Sequence, residues 1–95
     1  MADGYSGAAV LRAGGVEVAV TVEVGGRVEP VDGRYHWNGR VAPAPEVAAL
    51  VRAGKRSVEV TVAAGPPSPA RLGELDPWGG VRITGVGPPP WLPGP

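Results

Sequence analysis

A strict two-residue alternation constrains the fold more than any other feature of this sequence. From residue 16 to residue 24 every even position is valine, and the odd positions are Glu17, Ala19, Thr21 and Glu23. Successive side chains of a β-strand point to opposite faces, so this run predicts a strand with all five valines in the core and its glutamates in water. The fold must therefore bury one face of an extended strand.

Shorter runs predict five further strands around this one. We expect them at residues 8–12, 34–41, 57–62, 70–75 and 81–85, joined mostly by tight turns that contain glycine or proline. A bend or bulge is expected at residues 25–26, and a loop over residues 65–69. Six short strands favour a small antiparallel β-barrel or a rolled sheet, because closure removes exposed strand edges.

One short helix is predicted over residues 45–53. Pro45 suits the first helical position, and Val47, Leu50 and Val51 recur at helical spacing on one side. A helix of this length must pack on the sheet, and it could plug one end of a barrel. The fold class is therefore mainly β, and a flat sheet with the helix on one face is the alternative.

The domain organisation follows from the distribution of proline. Residues 1–87 are expected to form a single β-barrel-like domain, and residues 88–95 a proline-rich C-terminal tail. The tail can form a polyproline helix, or it can pack Trp91 back onto the domain.

Charge and composition exclude several classes of function. Nine basic and nine acidic residues cancel, which gives no electrostatic case for nucleic acid or an anionic membrane. The chain has no cysteine, a single histidine, and no apolar run of the roughly 20 residues that span a bilayer. We therefore expect no metal site, no cofactor and no membrane span. A start without a secretory signal favours a cytoplasmic location.

The candidate site residues are large or chemically versatile side chains in a chain built mainly from small aliphatic ones. They are Tyr35, His36, Trp37, Arg40 and Trp78. Alternation places Tyr35 and Trp37 opposite His36 and Arg40. The aromatic pair could line an apolar pocket inside the barrel, or it could simply fill the core.

Each polar candidate has a structural interpretation beside the functional one. His36 could be a general base, or a polar residue facing solvent. Arg40 could hold a carboxylate or phosphate, or it could pair with a glutamate on a neighbouring strand. The carboxylates of Glu29, Asp32 and Asp76 could do acid–base chemistry, but Asp32 and Asp76 also suit turn formation.

Three segments carry a family resemblance. They are residues 5–7 (Tyr-Ser-Gly), residues 29–40 (Glu-Pro-Val-Asp-Gly-Arg-Tyr-His-Trp-Asn-Gly-Arg), and residues 76–79 (Asp-Pro-Trp-Gly) with 84–89. Together they resemble domain of unknown function 4873 (DUF4873), a bacterial family found as small proteins and as an extra domain on flavin-dependent monooxygenases. The resemblance implies an association with oxidative small-molecule metabolism, and it brings no catalytic residues.

Three functions stay open from the sequence. The chain could bind an apolar or amphipathic small molecule or serve as an accessory domain of a flavin-dependent oxidative enzyme. It could be a cofactor-free enzyme, of cyclase or isomerase type, that orients a flexible substrate inside the barrel. It could also be a structural interaction module.

Overall fold

The chain folds as a closed six-stranded antiparallel β-barrel, which confirms the predicted fold class and excludes the flat sheet. The computed structural model describes residues 4–63 and 65–91. The strand order around the barrel is β1-β2-β3-β6-β5-β4. The elements are β1 (Gly4–Ala13), β2 (Val16–Val28), β3 (Tyr35–Val41), α1 (Pro45–Arg52), β4 (Ser57–Thr61), β5 (Ser68–Leu75) and β6 (Val81–Val86).

The valine alternation of β2 is confirmed with one correction. Val18, Val20 and Val22 are buried, Val24 is partly buried, and the two glutamates are exposed. The prediction that Val16 also faces the interior was wrong, because 52% of it is exposed. Val16 is the first residue of β2 and pairs with Ala13 beside the turn, whereas Val18 and Val20 are buried although β3 pairs with β2 only from Val22 onwards. The exposure of Val16 therefore reflects its position at the turn end of the strand.

Three strands extend by two residues or more beyond their predicted bounds. β1 begins at Gly4 instead of residue 8, and β5 begins at Ser68, inside the segment predicted as a loop. β2 continues to Val28 without a register shift, so the bend or bulge predicted at residues 25–26 was wrong. Pro69 is tolerated because β5 pairs there with β4 alone, and its pairing with β6 begins only at Arg71. One side of the strand needs no ladder donor at that point.

The helix begins at Pro45 as predicted and ends at Arg52, one residue early. Its buried residues Val47, Leu50 and Val51 belong to the barrel core. The helix connects the last residue of β3 to the first of β4, so we call this end of the barrel the helix end. At the opposite end, here called the tail end, β6 finishes beside the start of β3.

Side chains fill the barrel interior. Trp37 is the largest fully buried side chain, with only 1% exposed, and Leu11, Leu72 and Ile83 pack in the same core. The Trp37 indole lies against Gly85 of β6, where an added Cβ would be 2.2 Å from the indole Cε2. Only glycine leaves room for the ring at this position, so β6 and the indole depend on each other.

The chain after β6 closes the tail end. Ser68 donates a hydrogen bond from its hydroxyl to the carbonyl of Pro88 at 3.1 Å, and Pro89 and Pro90 are buried. Trp91 then packs against Trp37, with ring centroids 5.7 Å apart in an edge-to-face arrangement. The prediction that Trp91 packs back on the domain is confirmed.

Gly85→Ala should destabilise the protein by about 1–3 kcal/mol, because the new methyl group overlaps the Trp37 indole in a filled core. Thermal unfolding followed by circular dichroism measures the loss. Gly73→Ala is the matched control, since its Cβ would meet the Arg82 Cβ at 3.4 Å, an ordinary contact. Equal melting temperatures for the two variants would contradict the proposed packing.

Candidate functional site

The five candidate residues lie in three separate places. Tyr35 and Trp37 point into the barrel at the tail end, where both contact Trp91. His36 and Arg40 point outward, as the alternation predicted, and Trp78 lies in the loop between β5 and β6. The residues therefore do not form one pocket. They form an interior aromatic cluster, an exterior histidine site and an exterior groove.

The groove runs along the outer face of the barrel near the helix end and encloses about 710 Å³. Its floor contains a row of charged residues in register on three neighbouring strands, with Glu23 opposite Arg40 and Arg40 opposite Arg82. Leu75 and Asp76 line its β5 side. Arg82 makes no ion pair with any residue that the structure describes, so it is available to a partner.

Arg40 joins this row to the loop that carries Trp78. Its Nε donates to Asp76 Oδ2 at 2.5 Å, and its Nη2 to Asp76 Oδ1 at 3.2 Å. The guanidinium lies so close to Gly80 that an added Cβ there would be 2.4 Å from Arg40 Cζ. Two-point pairing of this kind fixes orientation as well as charge. The alternative use of Arg40, in a pair across strands with a glutamate, is replaced by a pair with this loop.

The Asp76 carboxylate also organises its own loop. Its Oδ1 accepts backbone hydrogen bonds from Trp78 and Gly80, each at 2.9 Å. The Arg40 guanidinium, supported by these backbone donors, lowers the pKa of Asp76 to about 2. The same contact raises the pKa of Arg40. Both groups are therefore charged at neutral pH, and the loop is held by a permanent ion pair.

Trp78 presents a large aromatic surface from this fixed loop. It is 78% exposed although its backbone N–H is held by Asp76. Trp78 differs in this respect from the other two tryptophans, which pack on each other. An ordered backbone under an exposed indole is an arrangement suited to binding rather than to core packing.

His36 forms the second exterior site together with Asp32. The ring Nε2 lies 2.9 Å from Asp32 Oδ2, and Asp32 Oδ1 accepts the backbone N–H of Arg34 at 2.9 Å. The Arg34 hydrogen bond, followed by that of His36, lowers the pKa of Asp32. A histidine oriented by a carboxylate can act as a general base. Within the described residues, however, no serine or threonine hydroxyl is hydrogen-bonded to His36.

Sequence reasoning missed Arg82 and the ion-pair role of Asp76, and it did not place Trp91 against Tyr35 and Trp37. The outward direction of Arg82 could have been inferred, because it alternates with the buried Val81 and Ile83. That β6 lies beside β3, however, is a property of the closed sheet. Over residues 4–63 and 65–91 no cluster of three or more histidine, cysteine, aspartate or glutamate side chains could hold a metal ion. No helix in the same ranges is long and apolar enough to cross a membrane.

Comparisons with known proteins place the chain beside longer relatives. The family model described as Domain of unknown function (DUF4873) matches residues 2–92. Uncharacterized proteins of Mycobacterium bovis and Mycobacterium tuberculosis are 40% identical over 87 residues, which cover 92% of this chain and 24% of each relative. The chain thus spans about a quarter of the length of these relatives. No solved structure matches it.

Asp76→Asn should lower the melting temperature at neutral pH, because the amide loses the charged contact with Arg40. A carboxyl group whose pKa is depressed on folding stabilises the protein above its unfolded pKa, near 4, and this contribution disappears as the pH falls through the folded pKa. The difference between wild type and variant should therefore shrink from pH 4 to about pH 2. Melting curves across this range measure it.

Glu74→Gln is the control for this experiment. Glu74 is a highly exposed carboxylate on β5, two residues before Asp76 and 3.3 Å from Arg56, and exposed pairs contribute little to stability. Its substitution should change the melting temperature only slightly at neutral pH. A difference between wild type and Asp76→Asn that stays constant from neutral pH to pH 2 would show that the Asp76 charge does not stabilise the loop.

Proposed function

We propose that this chain, which belongs to the Domain of unknown function (DUF4873) family, is an accessory domain that binds to a larger protein. The observation that carries this proposal is the length of its relatives. They match nearly all of this chain, yet the match occupies only 24% of their own sequences. In those proteins the domain is joined to a much larger remainder, and domains in one chain commonly share an interface.

The filled interior supports an accessory role over the other functions considered from the sequence. Binding a small molecule inside the barrel requires space that Trp37 and Trp91 occupy in this conformation. A cofactor-free enzyme requires a substrate enclosed beside its reacting groups, but the His36–Asp32 pair lies on the outer surface. The outer face of the barrel is therefore the surface that we propose for binding.

We assign the contact surface to the groove and the Trp78 loop. Tryptophan and arginine are the residues that most often dominate binding energy at protein interfaces. Arg82 lines the groove, and Trp78 is exposed two residues beyond Asp76, which also lines it. The Arg40–Asp76 pair holds the loop before binding, so little conformational entropy is lost when Trp78 is covered. The surface offers an aromatic anchor with a charged rim.

The larger protein is proposed to be a flavin-dependent oxidative enzyme of small-molecule metabolism in the cytoplasm. This part of the proposal is supported by the resemblance to domains attached to flavin-dependent monooxygenases. It is tested on the full-length Mycobacterium tuberculosis relative, which should purify with bound flavin and oxidise a reduced nicotinamide. A relative without flavin and without this activity would refute the oxidative assignment and leave the accessory role standing.

Trp78→Ala should weaken binding to the relative's remainder by about tenfold or more, since an interface anchor contributes about 2 kcal/mol or more. The remainder is produced by deleting the matched 87-residue stretch from the Mycobacterium tuberculosis relative, and its folding is checked by circular dichroism. Binding of this chain, added separately, is measured by biolayer interferometry.

Val31→Ala is the matched control for this measurement. Val31 is an apolar side chain that is 96% exposed, but it lies in the loop between β2 and β3 at the tail end. Its substitution should leave the affinity unchanged. A folded remainder that does not bind the wild-type chain would contradict the accessory role, and equal affinities of wild type and Trp78→Ala would contradict the assigned surface.

A further inference from the structure

Two buried indole N–H groups at the tail end have no hydrogen-bond acceptor. They are the Nε1 atoms of Trp37 and Trp91, and neither has a partner among the residues that the structure describes. Nearly all buried polar groups in native proteins are hydrogen-bonded, and an unpaired buried donor costs about 1–3 kcal/mol. Two such donors in one small domain call for an explanation.

Both donors belong to the interior aromatic cluster. The Trp91 ring lies 5.7 Å from that of Trp37 and 6.5 Å from that of Tyr35, in edge-to-face contact with both. Trp37 is held rigidly, since it is in the middle of β3 and packs on Gly85. Trp91 therefore occupies an aromatic niche at the mouth of the barrel, against the ring of Trp37, whose buried N–H has no acceptor among the described residues.

The segment that carries Trp91 is attached less firmly than the strands. Residues 88–90 are all proline, so they have no N–H group and cannot extend the hydrogen-bonded wall of β6. Beyond Gly87, whose N–H donates to the carbonyl of Tyr35 at 2.8 Å, the segment is held by the Ser68 hydrogen bond and by side-chain packing. Its departure from the mouth would break the Ser68 hydrogen bond and expose Pro89 and Pro90, but it would break no hydrogen bond between strands.

We propose that Trp91 is a displaceable plug over a binding site for a planar, apolar molecule that carries hydrogen-bond acceptors. Displacement places the Trp91 N–H in water, and an acceptor of the ligand pairs with the Trp37 N–H. The ligand replaces the Trp91 ring against Tyr35 and Trp37, so it must be flat and about the size of an indole. Aromatic ketones and quinones have this chemistry, and the site is separate from the exterior groove.

Menadione is a suitable probe because it is a flat bicyclic quinone with two carbonyl acceptors and no donor. The chain has no cysteine with which it could form a thiol adduct. In a nitrogen-correlated NMR spectrum the three tryptophans give three indole N–H signals. Menadione should shift those of Trp37 and Trp91 and leave that of Trp78, which is exposed at the other end, unchanged.

Trp91→Ala tests the plug. Affinity for a site that is only partly open is reduced by the open fraction, so removing the plug should tighten menadione binding by about tenfold or more. Trp37→Phe keeps a ring in the niche and removes its donor, and it should weaken binding about fivefold. Val16→Ala, at an exposed position near the helix end, is the control and should bind as the wild type does. Circular dichroism verifies that each variant is folded.

Two results would overturn the proposal. One is a Trp91→Ala protein that is folded but binds menadione no more tightly than the wild type. The other is a spectrum in which the Trp37 signal does not shift when menadione is added. In that case the two donors are an unfavourable feature of core packing, or they bind buried water. The wild-type NMR titration keeps the test decisive even if Trp37→Phe fails to fold.

Discussion

The barrel depends on one close approach, that of the Trp37 indole to Gly85. A six-stranded barrel lined by valine and leucine has a small interior, and one indole fills much of it. The ring fits because the neighbouring strand offers a glycine at the contact point. Trp37 in turn supports Trp91, so the packing of the tail end follows from the same pair. Strand pairing, core volume and closure of the mouth are therefore linked through one side chain.

On the outer surface, ion pairs and strand register, rather than side-chain volume, determine where the residues lie. Arg40 and Asp76 belong to distant parts of the sequence, and their pairing fastens the β5–β6 loop to the middle strand of the groove. The neighbouring Glu23 and Arg82 are brought into one row by strand register alone. The aromatic loop beside this charged row is the surface that we propose for a partner, whereas the interior is filled by packed side chains.

The sequence predicts those features that depend on local periodicity. The valine run, the helix from Pro45 and the inward direction of Trp37 all follow from the spacing of neighbouring residues. Features that depend on which strands become neighbours could not be predicted. Pro69, for example, enters a strand because β6 is absent beside it. The Arg40–Asp76 pair likewise required the closed order of strands.

The two ends of the barrel are closed by different contacts, and this difference indicates which end can open. At the helix end, backbone hydrogen bonds hold the segment that follows α1. The N–H of Lys55 donates to the carbonyl of Leu50 in the helix, and the N–H of Leu72 in β5 donates to the carbonyl of Arg56. At the tail end, a proline segment without N–H groups holds one indole in place. Opening the helix end would break a hydrogen-bonded element, whereas opening the tail end breaks the Ser68–Pro88 hydrogen bond, moves packed side chains and exposes a donor. A molecule that enters this barrel must therefore enter beside Tyr35 and Trp37.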